Sequence, residues 1–250
     1  GYFREGVSDP YSFLLDRDTS VVASGAGFEV RTIAPRLAFT GLLSKDETTI
    51  SFIGEGVDPE AEAPLSWAIT VMEGTDLRAG GPDSVVLGEG LAANLGVHPG
   101  DLVVLLGNTP GGGVNAVELT VAGTFQTTSK AYDDTALRAP IEVARRLMRV
   151  DGATSWVVLL GETGQTDAAV HALRSRLPAD RFEVTPWIEL ADFYTKTVEL
   201  FDTQVNVVRI MIALIVVLSI SNTLSMAVIE RTTEIGTSMA LGVRRRGILA

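Results

Sequence analysis

Apolar positions in the first 186 residues fall into short β-rich runs separated by turn residues. Residues 28–33, 37–43 and 48–57 predict adjacent strands, punctuated by Pro35, by Gly41 and by a Lys45-Asp46-Glu47 turn. Further strand-like runs occupy 67–72, 84–87, 102–106, 116–121, 154–160 and 182–184. Helical periodicity is limited to three stretches. Residues 89–95 end at Gly96 ahead of Pro99-Gly100, the chemistry of a helix stop and turn. Pro140 opens a second helix with Ile141, Ala144, Leu147 and Met148 on one face. Residues 166–177 form a third, with Ala169, Val170, Leu173 and Leu177 aligned and Pro178 after it. A mixed α+β domain is expected over 1–186, with no regular βα repeat. The Gly80-Gly81-Pro82 break suggests a subdomain boundary, and Pro110-Gly111-Gly112-Gly113 an exposed hairpin tip within 107–115.

The pattern then changes. Residues 187–235 contain neither proline nor glycine, 49 positions that predict a helix about 70 Å long at roughly 1.5 Å per residue. Leu190, Tyr194, Val198, Phe201, Val205, Val208 and Ile212 recur at spacings of three and four, so one apolar stripe runs without a phase slip. It leads into residues 210–229, which carry no formal charge and match a bilayer core of about 30 Å. A membrane helix continuous with a stalk over 187–209 is the simplest interpretation, and an ordinary helix packed on the domain is the alternative.

Charge gives this arrangement a direction. The net charge is −11, yet residues 207–250 hold five arginines and two glutamates, net +3, leaving −14 for residues 1–206. Basic residues flanking a span favour the cytoplasm, so 1–209 is expected outside and 230–250 inside. The acidic domain argues against nucleic acid as a partner. Gly1 to Leu15 has no apolar leader, and the chain ends at Gly247-Ile248-Leu249-Ala250 in what reads as a further helix, so a fragment of a longer membrane protein is expected.

Several chemistries are excluded. With no cysteine there are no disulfides, thiolate metal sites or cysteine nucleophiles. Lys45, Lys130 and Lys196 all lack the P-loop context, so ATP hydrolysis is not expected of this chain, and no zinc helix, EF-hand or nucleophile elbow occurs. No catalytic residue, cofactor or metal is assigned. His98 and His171 read as surface residues, Asp133-Asp134 as a solvated loop, and Gly54-Glu55-Gly56 and Gly88-Glu89-Gly90 as turns. Within 210–229, Ser221 and Ser225 form a small-xxx-small pair, for helix packing or for bonds to their own backbone. Asn222 is costly in lipid and implies a partner helix.

Glu230-Arg231-Thr232-Thr233-Glu234-Ile235-Gly236, followed by Met239-Ala240-Leu241-Gly242-Val243 and Arg244 to Arg246, resembles the FtsX-like ABC-transporter permeases. That family contains the macrolide-exporter and lipoprotein-releasing permeases. Ala34-Pro35-Arg36-Leu37, Gly54-Glu55-Gly56-Val57-Asp58, Leu87-Gly88-Glu89-Gly90-Leu91-Ala92 and Asn94-Leu95-Gly96-Val97 are similar to its MacB-like periplasmic core domain. The resemblance implies a periplasmic domain over 1–186 with an inserted subdomain at about 80–140, a stalk, a second transmembrane helix and a cytoplasmic coupling segment. It implies localisation in the bacterial inner membrane, a second permease subunit in a homo- or heterodimer, and a separate cytoplasmic ABC ATPase. Glu230, Arg231, Glu234, Ile235, Gly236, Ala240, Leu241 and Gly242 would couple to that ATPase, Ser221, Asn222 and Ser225 would pack helices, and the arginines could instead bind lipid headgroups. Two outputs follow from the resemblance: mechanotransmission to extract or export a lipoprotein or other hydrophobic substrate, with a periplasmic carrier or channel as partner, or signalling to a periplasmic cell-wall hydrolase. A membrane-tethered binding domain without an ATPase is a third.

Overall fold

The computed structural model describes residues 10–23, 28–190 and 192–242, with residues 10, 23 and 192–203 in backbone only. Arg244 to Arg246, Val243 and the side chains of Tyr194, Val198 and Phe201, singled out above, lie outside the described residues. The chain divides into two compact units, Gly1–Pro186 and Trp187–Ala250.

The first unit is built on one mixed eight-stranded sheet. Its strands are β1 (Val30–Lys45), β2 (Thr48–Val57), β3 (Thr70–Gly74), β4 (Ser84–Gly88), β5 (Leu102–Asn108), β6 (Val114–Gln126), β7 (Ala136–Pro140) and β8 (Ser155–Leu160). They run in the order β2-β7-β4-β6-β5-β1-β8, and β1 also pairs with β2, closing β1-β2-β7-β4-β6-β5 into a ring. β2–β7 and β4–β6 are parallel, and the remaining pairs are antiparallel. Closure removes most free edges. β3 lies off the ring beside β6.

The helices of this unit are α1 (Ser20–Ala23), α2 (Pro59–Glu62), α3 (Leu77–Gly80), α4 (Glu89–Leu95), α5 (Lys130–Asp133), α6 (Ile141–Met148) and α7 (Thr166–Arg176). α6 packs on β1, β2, β5, β6 and β7, and its Val143, Ala144, Leu147 and Met148 join Leu37, Phe39, Leu105, Leu119 and Leu137 in the main core. A second core cluster forms on β8, where Leu173 and Leu177 meet Trp156, Phe182 and Val184. α4 occupies the predicted bounds and ends in left-handed Gly96, φ 69°. His98 and His171 are exposed as expected, and no metal-binding cluster occurs among the described residues.

Four expectations about strands and turns are corrected. The runs 28–33 and 37–43 do not give two strands but one, β1, which starts at Val30: β8 pairs with residues 30–36 and β2 with residues 36–45, and this tertiary pairing overrides the breakers Pro35 and Gly41. Beside Pro35, the bond to the β8 flank is carried by Arg36, whose carbonyl accepts from the Thr154 N–H at 2.8 Å. Gly54-Glu55-Gly56 is not a turn but lies inside β2, where a Cβ on Gly56 would stand 2.5 Å from that of Ala144. Trp67 lies not in a strand but in a 3-10 turn, 87% exposed, and β3 starts only at Thr70. Residues 182–184 form no strand.

The second unit contains α8 (Trp187–Leu190) and α9 (Asp192–Ala240). α9 is one uninterrupted helix of 49 residues, and it runs through Gly236 instead of stopping there. Gln204–Ala240 is long and apolar enough to cross a membrane.

Candidate functional site

Two sets of residues stand out by chemistry: an ion cluster inside the sheet and the far half of α9. In the first, Arg36 on β1 donates to Glu55 on β2 at 3.1 Å and to both carboxylate oxygens of Glu62 at the end of α2. Arg138 on β7 donates to Glu62 at 2.6 Å, and its Nε lies 3.3 Å from Glu55. Glu62 and Arg138 are buried, whereas Arg36 and Glu55 keep one partly exposed side.

Two cations and two anions compensate one another, which burial demands because removing either partner strands a charge in low dielectric. Desolvation works to lower the pKa of Arg36, but the charges of Glu55 and Glu62 outweigh it and the net shift is upward. The Tyr132 phenol is also raised, first by burial and then by Glu55. Arg36 and Glu55 therefore meet although they stand in separate sequence motifs.

Gly88-Glu89-Gly90 joins β4 to α4, and a Cβ on Gly88 would come within 2.1 Å of the Asp133 carbonyl oxygen. Asp133 itself overturns the expected solvated loop: it is buried and accepts from the Thr127 N–H at 3.1 Å and from its hydroxyl at 2.8 Å. Asp134 faces outward and pairs with Lys130 at 3.0 Å. Both motifs are thus close-packing devices of the sheet, with no phosphate-binding geometry.

In α9 the hydroxyls of Thr223, Thr232, Thr233 and Thr237 donate to carbonyls one turn earlier, at 3.0, 2.6, 3.1 and 2.6 Å. These bonds satisfy polar groups inside the helix itself. Ser221 and Ser225 instead lie in one shallow groove walled by Val217, Ile220, Leu224 and Val228, while Asn222 lies off it. A small-residue floor with branched walls is the shape that admits a second helix closely.

Glu230, Arg231, Glu234, Ile235, Gly236 and Ala240 all belong to α9, and Leu241 and Gly242 form the turn that ends it. The Leu241 N–H bonds the Thr237 carbonyl at 3.1 Å, and Gly242 adopts φ 91°, a left-handed terminus. At 100° per residue, Glu230, Glu234 and Leu241 share one side, Arg231, Ile235 and Gly242 the next, and Gly236 and Ala240 a third. Glu230, Arg231 and Glu234 make no ion pair among the described residues, and Leu241 is 83% exposed. This end of the helix offers charge, an apolar tip and a narrow small-residue side at once.

Glu62, Arg138 and Tyr132 were missed in the sequence. Glu62 was hidden in a Pro- and acid-rich connector, whereas Arg138 carried a signal: a lone charge in Ala136-Leu137-Arg138-Ala139 needs a buried partner.

The family model described as MacB-like periplasmic core domain matches residues 4–176. The lipoprotein-releasing system transmembrane protein LolC of Neisseria meningitidis serogroup B is 27% identical over 175 residues, covering 68% of this chain and 42% of that protein. The macrolide export ATP-binding/permease protein MacB of Rhodospirillum rubrum is 27% identical over 251 residues, covering 94% of this chain and 37% of that protein. The chain thus spans less than half the length of either relative. The periplasmic region of MacB from Actinobacillus actinomycetemcomitans, a solved structure, aligns with a TM-score of 0.49 at 14% identity over 72% of this chain and 81% of that one.

Proposed function

The chain belongs to the MacB-like periplasmic core domain family, and from that premise we propose that it is part of an ABC-transporter permease of the mechanotransmission type. ATP binding and hydrolysis in a separate cytoplasmic subunit move the end of α9, and the helix passes that motion to the sheet domain outside the membrane. The cargo is a lipoprotein or another hydrophobic substrate taken from the outer face of the inner membrane. A second permease subunit completes the assembly, and a periplasmic carrier or channel receives the cargo.

One observation carries this proposal: the uninterrupted helix Asp192–Ala240. At about 1.5 Å per residue it is roughly 70 Å long, more than twice a bilayer core. A helix without a Pro kink transmits displacement, whereas a hinge would absorb it. The Arg-rich side of residues 210–229 supports an outside position for 1–209 and a cytoplasmic one for 230–250. Glu230 and Glu234 on one side and Arg231 on the next support charge-assisted docking on the ATPase, with Leu241 and Ile235 as the apolar contacts of those two sides, Gly242 ending the helix there, and Gly236 and Ala240 leaving room for close approach on the third side. Ser221 and Ser225 support packing against another membrane helix, and Asn222 needs a polar partner there.

Glu234→Lys in the full-length permease tests the coupling. Expression and membrane insertion are expected to persist while ATPase co-purification and ATP-driven release of cargo are lost. Retention of both activities at the unsubstituted level would refute the docking role.

A further inference from the structure

Closure of the ring leaves few strand edges, and among the described residues β3 and β8 have a neighbour on one side only. β8 is half-buried along its length, whereas all five residues of β3 are exposed. The exposure begins before the strand: from Trp67 to Asp76 every residue except Ile69 faces solvent, with Trp67 at 87% and Val71 and Met72 at 43% and 46%. Such a run of large apolar side chains on one short segment is not needed for solubility or for the core.

The segment is nevertheless fixed at both ends. Ile69 packs on the cluster of Val57, Leu77, Val86 and Phe125, and the Thr75 N–H donates to the Ala122 carbonyl at 2.9 Å. From that bond the register runs back through Gly74 opposite Gly123 and Glu73 opposite Thr124. Backbone alternation therefore turns the polar groups of Glu73 toward β6 and those of Met72 away from it. Met72 falls at the register shift and has no partner on β6, as a bulged residue does. A fixed edge with outward-turned N–H and C=O groups beside an exposed indole is a template for another strand.

Charge selects the strand that fits. No lysine or arginine occurs between Lys45 and Arg78, a stretch that holds eight acids. Glu73, exposed on β3, makes no ion pair among the described residues, and Asp76 follows it, accepting from the Leu77 N–H at 2.7 Å. Residues 1–186 as a whole carry 25 acidic and 14 basic residues, net −11. A second copy of this domain is repelled at such an edge, and a cationic segment is drawn to it. The open face of the Trp67 indole adds a further attraction for a lysine or arginine.

We propose that the free edge of β3, with Trp67 beside it, docks an extended cationic segment of a partner protein, which joins the sheet as an added strand. The backbone of Met72 supplies ladder bonds, Trp67, Val71 and Met72 meet apolar side chains of the incoming strand, and Glu73 selects its lysines or arginines. The site lies wholly within the first unit, and it stands whether or not α9 transmits motion.

The test uses the full-length permease in nanodiscs of zwitterionic phosphatidylcholine, with empty nanodiscs as the blank. The probe is a fluorescein-labelled, acetylated peptide of four Lys-Val repeats, followed by fluorescence anisotropy. Saturable binding is expected. Neither the Glu-Val counterpart nor a Lys-Pro counterpart, which keeps the charge but lacks half of the backbone N–H groups, should bind. Trp67→Ala should weaken binding about tenfold, as loss of an interface aromatic does, without lowering the melting midpoint, since that side chain is exposed. Glu73→Lys should weaken the Lys-Val peptide similarly and admit the Glu-Val one. Equal affinity for the Lys-Pro and Lys-Val peptides would reduce the binding to diffuse charge attraction and overturn the proposal, as would an unchanged affinity in Trp67→Ala. A Trp67→Ala permease that binds the peptide normally but separates into single subunits would make a second copy the occupant, which equally overturns it.

Discussion

Glu62 receives hydrogen bonds from two arginines, Arg36 and Arg138, and is itself buried. Truncation to Ala leaves Arg36 and the buried Arg138 facing Glu55 alone, two cations on one anion, which is expected to cost roughly 3–5 kcal/mol in thermal or denaturant unfolding. A loss below about 1 kcal/mol, the level of an exposed pair, would contradict the burial argument. Tyr132 offers a second measurement. Its phenol is raised by burial and by Glu55, so the folded state disfavours the phenolate. The stability this group contributes is fully present below its unfolded pKa and is lost as pH rises through the higher folded value. A tyrosinate absorbance titration, with Tyr132→Phe as the difference, should place this phenol above the ordinary tyrosine range. The sequence displayed Arg36 and Glu55 in recognisable motifs, but their meeting needs the ten-residue register between β1 and β2, with Arg36 opposite Val57. Glu62 was illegible because prolines and acids around it read as a solvated connector, and only the fold turns that carboxylate inward.

Elements whose ends are fixed by local chemistry were legible. Gly96 stops α4 and Pro140 precedes α6, both where the sequence placed them. Elements fixed by tertiary approach were not. Pro35 and Gly41 interrupt the local pattern of β1, yet the strand continues because β2, β5 and β8 supply its partners. β7 is five residues long and carries Arg138, so it showed no alternation. The segment 182–184 has strand-like composition but no strand beside it, and Arg174 takes the Val184 carbonyl instead. Gly56→Val should therefore destabilise the sheet domain by about 1–3 kcal/mol through overpacking against Ala144, measurable as a lowered melting midpoint. In α9, Val207→Pro should cost the helix about 3 kcal/mol and break its continuity. ATPase turnover in the assembled transporter is expected to persist in that variant while cargo release falls away. Unimpaired release would mean that the stalk need not be rigid.

On the scale of the molecule, an acidic sheet domain is followed by a helix longer than a bilayer, with a charged and apolar tip at its end. The break in composition near residue 187 was legible because residues 187–235 lack the proline and glycine that the turns of the sheet domain use, although α9 itself then accommodates Gly236. The closed ring was not, since closure depends on which distant strands find one another. The central claim is that the two ends stand on opposite sides of the inner membrane. Single cysteines at Asp167, in the sheet domain, and at Leu241, at the tip of α9, test it in whole cells with a membrane-impermeant maleimide, against a permease otherwise free of reactive cysteine. The Asp167→Cys protein is expected to be labelled once the outer envelope is opened, and the Leu241→Cys protein only after the inner membrane is permeabilised. Labelling of both from the same side would contradict the claim.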